Sequence, residues 1–250
     1  LDKEINETKP EIILRIQNEK NEVVAQLSGP VSKGFNRLNW DLTTELSTAV
    51  KSSTKNRYNR NLKINADPGL YRVSIFKRSG SSLEEISESQ TFEIVQIRKN
   101  TLENPKSNEH KEYYQKLASL TTKVIELNHN FEKGNKKLNT IKNNLKYLKS
   151  QQTELNSNIF QLSEEMELLK REFEGSDAKA EIGEKDIQTL NGRLYNAKGG
   201  WRPNTYGPTL LHMESFNIAR DKYNRLKTKV ELYLNNVELV NKKMTNLGAP

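Results

Sequence analysis

The chain has 250 residues, 34% of them hydrophobic and 29% charged, with 40 Lys and Arg against 32 Asp and Glu for a net charge of +8. Regularly spaced apolar residues among few glycines and prolines exclude a disordered linker and a membrane-embedded chain, and the absence of cysteine excludes a disulfide scaffold, a thiolate metal site and a cysteine nucleophile. The positive balance admits nucleic acid, anionic lipid or acidic glycan as partners, and an opening at Leu1 with no basic-then-apolar leader is expected of a processed chain or a fragment of a longer one.

From Glu11 to about Arg98 apolar residues recur at every second position in short runs, the pattern of half-buried strands. IILRIQ (12–17), EVVAQL (22–27), FNRLNWDL (35–42), NLKINA (61–66), LYRVSIFK (70–77) and TFEIVQI (91–97) are the predicted strands. Between them lie NEKN, SGPVSKG, a polar stretch from Ser47 to Asn61, DPG and RSGSS, a spacing that predicts a small antiparallel sandwich over residues 1–99. In the third run alternation sends Leu38, Trp40 and Leu42 to one face and Asn39 and Asp41 to the other. Trp40 is then a core plug whose burial stabilises by about 2 to 3 kcal/mol; an exposed, sugar-stacking tryptophan is the alternative. At Asp67, Pro68 and Gly69 the chain turns before Tyr71, Val73 and Ile75 alternate inward.

A polar linker over 100–108 precedes a change of period, and residues 109–250 read as helical. Leu117, Leu120, Val124, Leu127 and Phe131 begin a stripe in steps of three and four that runs on through Leu138 and Leu155 to Phe173, interrupted at Gly134 and Gln152. One continuous helix of about 100 Å satisfies this period, but charge favours a hairpin. Lys133, Lys136, Lys137, Lys142, Lys146 and Lys149 run without an intervening acid, whereas residues 154–186 hold ten acids and four bases. Reversal near Ser150 to Thr153 lays one segment beside the other, predicting helices over 108–150 and 153–174 in an antiparallel, coiled-coil-like bundle. EGSDAKAEIGEK (174–185) is expected as a loop and 186–197 as a short helix with Leu190, Leu194 and Ile187 inward. After the loop GGWRPNTYGPT (199–209), with Gly207 as cap and Pro208 at the first helical position, a last helix runs to about Leu247. Arg220, Lys222, Arg225, Lys227 and Lys229 give it a second basic patch suited to the acidic helix.

No catalytic constellation emerges. His110, His129 and His212 lack partners at metal-ligand spacing and are expected at the surface or the bundle edge, and no phosphate loop, nucleophile elbow or zinc pattern occurs. Glu84/Glu85 and Glu164/Glu165 are neighbours whose side chains diverge, so neither pair forms an acid and base couple. The expectation is a chain that is no enzyme by itself, with no cofactor and no metal. Trp201, Arg202 and Tyr206, in the glycine-flanked loop, are the candidate partner-binding residues; the alternative is that Trp201 seals the end of the bundle.

The segment EVVAQLSGPVSKGFNRLNWDL, followed after an insert by DPGLYRVSIF, resembles the C-terminal immunoglobulin-like module of bacterial sortilin-like, BNR-repeat β-propeller proteins. Lys33, Gly34, Asn36, Arg37, Trp40, Asp41 and Leu42 match its KGxNRxxWDL pattern, and Pro68, Gly69, Tyr71 and Val73 its PGxYxV pattern. Phe35 stands where the family often has a smaller aliphatic residue, and Gly207, Pro208 and Thr209 resemble the entry to its last long helix. The resemblance implies an α+β, multidomain chain, an antiparallel immunoglobulin-like β-sandwich followed by a helical tail. It also implies export to the periplasm, outer-membrane surface or medium, and a non-catalytic scaffold that docks on the N-terminal propeller of the same precursor or on another envelope protein. Two alternatives stay open: a module binding acidic glycan or nucleic acid through the lysine-rich helix and the Trp201 loop, and an accessory part of a hydrolase whose active site lies in a propeller outside these residues.

Overall fold

The computed structural model of the protein describes residues 9–45, 63–97, 107–148, 153–199 and 207–248. They form two compact units, one of strands up to residue 97 and one of helices from residue 107.

In the strand unit every pairing is antiparallel. β1 (Glu11–Asn18) lies between β2 (Val23–Gly29) and β5 (Gly69–Ser79). The far edge of β5 is shared: its first residues pair with β7 (Gln90–Ile94) and its last with β6 (Ser82–Glu85). β3 (Thr43–Glu45) and β4 (Lys63–Asn65) make a separate two-stranded ladder. β6 had no signal in the sequence, because SLEE carries a single apolar residue and stays exposed throughout.

The main cluster lies on one face of the large sheet, while Ile13 and Ser74 are buried on the other. Ile16, Val24 and Tyr71 are buried, and Trp40, Ala66, Val73 and Phe92 pack against them. Trp40 meets Tyr71 and Phe92 edge-on at ring separations of 5.8 and 6.1 Å, while Tyr71 and Phe92 stack at 5.8 Å. The Tyr71 hydroxyl donates to the Asp67 carbonyl at 2.6 Å, tying the strand to the turn that precedes it.

The segment FNRLNWDL is not a strand, contrary to its alternation. Leu38 and Trp40 are half-buried, but Leu42 adopts a φ of 53° and is 48% exposed, so the inward series stops at Trp40. Local bonds take the place of a ladder. The Trp40 indole N–H donates to the Thr43 carbonyl at 2.9 Å, and the Asp41 carboxylate accepts from the Thr43 hydroxyl at 2.6 Å and its N–H at 3.3 Å. Side chains that bond the nearby backbone in this way compete with strand pairing, and β3 begins at the bonded threonine.

The helical unit contains α1 (Ser107–Asn144), α2 (Thr153–Glu174), α3 (Asp177–Glu181), α4 (Leu190–Ala197) and α5 (Leu210–Asn246). α1 ends six residues before the expected position 150. A single 3-10 turn follows over Leu145–Tyr147, and Leu148 is extended, with a ψ of 132°. α2 has the predicted bounds, so the stripe divides into two helices; residues 149–152 lie outside the described residues. α2 runs against α5, because Glu172 pairs with Lys229 and Glu154 with Lys243. α1 runs parallel to α5, with Tyr113 beside His212 and Asn135 beside Tyr233. The three long helices meet where Phe131 stacks on Phe173 at 5.5 Å and touches Tyr233 at 5.6 Å.

Gly134, an apparent gap in the stripe, is a packing feature. A Cβ there would fall 2.3 Å from Leu234 Cδ2, so the missing side chain lets α5 press close. The stretch expected as a loop over 174–185 contains α3, whose N-cap Ser176 accepts from the Lys179 N–H. α4 starts four residues later than expected. Thr189 caps it, and Asp186 instead accepts from the Ser176 N–H at 2.6 Å; Ile187, expected inward, is exposed.

Candidate functional site

The predicted contact residues fall in the segment between α4 and α5. Trp201, Arg202 and Tyr206 lie outside the described residues, but both roots of the loop are defined. Ala197 and Tyr113 are buried at the first root. The Tyr113 hydroxyl lies 2.8 Å from the Ala197 carbonyl oxygen and 2.9 Å from that of His212, so one proton is shared between acceptors on either side of the loop. Burial holds that phenol protonated well above the ordinary tyrosine range, with a smaller push from Tyr114. Its ring packs edge-on against Tyr114 and Phe216 at 5.3 and 5.7 Å.

At the second root Gly207 has a φ of 77° and lies against the His110 imidazole; a Cβ there would sit 1.9 Å from Nε2. The expected capping is corrected here. Thr209, not Gly207, is the N-cap of α5, and Pro208 precedes the helix instead of starting it. Thr209 accepts from the His212 N–H, and the His212 Nδ1 accepts from the Thr209 N–H at 3.1 Å, closing a reciprocal capping box. Histidine stands where glutamate or glutamine usually completes such a box, which is why the pattern escaped the sequence reading. His110 is half-buried behind this glycine.

Lys198, directly after α4, is half-buried, and desolvation pushes its ammonium down to about 8. The sequence does not group Lys198 with His110 and Tyr113, because it lies far along the chain from that first turn of α1. The one available signal was that Tyr113 continues the α1 stripe one turn before Leu117.

Charge pairing departs from the expectation that the lysines of α1 neutralise the acids of α2. Lys137 donates to Glu238 of α5. Lys146 lies over the ring of its own neighbour Tyr147 at 5.1 Å. Lys133 and Lys136 are exposed and make no ion pair among the described residues. α1 also brings Glu132 near Glu174, whose carboxyl is raised first by burial and then by that like charge. Of the patch Arg220, Lys222, Arg225, Lys227 and Lys229 expected to face α2, Lys229 pairs with Glu172 at 2.6 Å, whereas Lys227 and Arg220 pair within α5; Lys243, outside that patch, meets Glu154 at 3.6 Å. Of the two basic segments suited to α2, α5 supplies its interhelical ion pairs among the described residues.

Among the described residues no three His, Asp or Glu side chains cluster at metal-binding spacing, and no helix is long and apolar enough to cross a membrane. Compared with protein-family models, curated proteins and solved structures, the chain matches none.

Proposed function

We propose that this chain is a non-catalytic interaction region of a larger exported protein, an immunoglobulin-like β-sandwich followed by an antiparallel, coiled-coil-like bundle. It docks through the loop bearing Trp201, Arg202 and Tyr206, on the propeller of the same precursor or on another envelope protein. The observation that carries this reading is the clamp at the loop's roots, where the buried Tyr113 hydroxyl joins the Ala197 and His212 carbonyls. Fixing both ends lowers the entropy cost of ordering the loop against a partner. The sandwich part is supported by the Tyr71 hydroxyl bonded four residues upstream, the arrangement of a tyrosine corner, and by Trp40 packed on Tyr71 and Phe92.

The test places a photo-crosslinking residue at position 201 of the chain in the presence of the upstream propeller or an envelope extract. A discrete adduct that disappears with Arg202→Glu and weakens with Tyr113→Phe is expected. A folded protein that gives no adduct from this loop overturns the reading.

A second reading has its own observation. Lys133 and Lys136, on successive turns and without acidic partners, make the face of α1 suited to an acidic glycan or nucleic acid. Retention on a heparin column that falls steeply between low and high salt, and falls further in the Lys133→Glu/Lys136→Glu variant, would favour it. Equal retention of both proteins would dismiss it.

A further inference from the structure

The core face of the large sheet is covered unevenly. Register places Ile16, Val73 and Ala25 on one rung, Leu14, Ile75 and Leu27 on the next, and Ile12, Lys77 and Gly29 on the last. Trp40 and Ala66 cover the Ile16 end. Towards the other end Leu38 and the segment from Pro30 to Asn36 are the cover among the described residues, and a cavity of about 680 Å³ opens between them and the sheet. This size lies inside the range of roughly 300 to 1,000 Å³ typical of small-molecule sites.

Two features keep the cavity formed. The covering segment is braced from within: the Asn36 amide donates to the Ser32 and Gly34 carbonyls at 3.0 and 3.1 Å, and the Ser32 hydroxyl donates back to Asn36 at 3.1 Å. A loop that satisfies its own polar groups needs no support from beneath. Gly29 keeps one wall low, since a Cβ there would already approach Leu38 Cδ1 to 3.1 Å.

The walls are aliphatic, with Ile12, Leu14, Leu38, Ile75 and Ile86 among them, and Lys77 is the one ionisable side chain on the lining among the described residues. Among the described residues Lys77 makes no ion pair and no carboxylate lines the cavity. An apolar body with a negative head group has the complementary chemistry. We propose that this cavity is a binding site for a single aliphatic amphiphile, its tail along the Leu14 and Ile75 rung and its carboxylate or phosphate on Lys77.

The test is calorimetric titration of the full chain with laurate and with dodecyl phosphate, both below micelle concentration, with dodecanol and dodecyltrimethylammonium as head-group controls. Saturable one-to-one binding of at least one anion is expected, and which of the two binds tighter distinguishes a carboxylate from a phosphate source. Lys77→Glu, a change on an exposed side chain, should weaken the anion about tenfold and leave dodecanol unchanged. Ile86→Trp at the half-exposed mouth should abolish binding of both. No saturable binding to the native chain, or binding that Ile86→Trp leaves intact, overturns the site. An anion affinity indifferent to Lys77→Glu, or a cationic amphiphile that binds as well, overturns the head-group assignment.

Discussion

At Gly207 two costs of adding a methyl group combine, a left-handed backbone with a φ of 77° and a collision with the His110 ring. Gly207→Ala is therefore expected to destabilise by roughly 2 to 4 kcal/mol in urea melts. Gly248→Ala is the matched control: its φ is 78° with nothing within 4 Å of the new carbon, so only the conformational share of about 1 to 2 kcal/mol should remain. Replacing Tyr113 by phenylalanine removes the one proton shared by the Ala197 and His212 carbonyls. The expected loss is about 1 to 3 kcal/mol, with faster protease cleavage between residues 199 and 207 than in the native chain. In the sequence Gly207 before proline reads as a cap and Tyr113 at a stripe position reads as core, so neither is placed in these contacts. What singles out Tyr113 is proximity across 84 and 99 residues of chain, and what singles out Gly207 is the His110 ring, distant along the chain, neither of which a local pattern encodes.

Elements were legible where one period ran unopposed. Alternation located β1, β2, β5 and β7, and the three-four stripe located α1, α2 and α5, because burial of a single face dictates both patterns. FNRLNWDL misled because Asp41 and Trp40 bond to Thr43 and bend the chain before a ladder can form. Asp41 also accepts from Lys63 at 2.9 Å, and its pKa is lowered, first by the Thr43 hydroxyl and then by Lys63. A carboxylate depressed in the folded state contributes stability above its unfolded pKa and loses it as pH falls through the folded value. Asp41→Asn should consequently flatten the acid limb of the stability curve, while native protein and variant differ most above pH 4, as urea midpoints at pH 3 to 6 will show. The lysine run misled differently. Opposite charges along a sequence say that some partner exists, but α5 was as available as α2, and the register of the apolar stripes decided between them.

For the molecule as a whole, two separate cores predict two calorimetric transitions in place of one. Alkaline stability should rise and then fall. Folded Lys198 sheds its proton near pH 8, whereas the unfolded lysine holds it to about pH 10.4. Over that window the unfolded chain binds more protons, so raising the pH favours folding. Tyr113 and Tyr233 act in the opposite sense above about pH 10, because burial keeps them protonated when folded. Urea midpoints that climb from pH 8 to 10 in the native chain and stay level in Lys198→Met would bear this out. The parallel seam between α1 and α5 also governs assembly. Its bonded pairs, Tyr113 with His212, Asn135 with Tyr233 and Lys137 with Glu238, are 99, 98 and 101 residues apart. Loop closure must be met before such distant contacts can repay it, so docking of α5 is expected late in folding. During translation the part of the α1 stripe that α5 covers thus awaits a helix made about a hundred residues later, and a ribosome stalled before Leu226 leaves that part exposed to chaperones or aggregation.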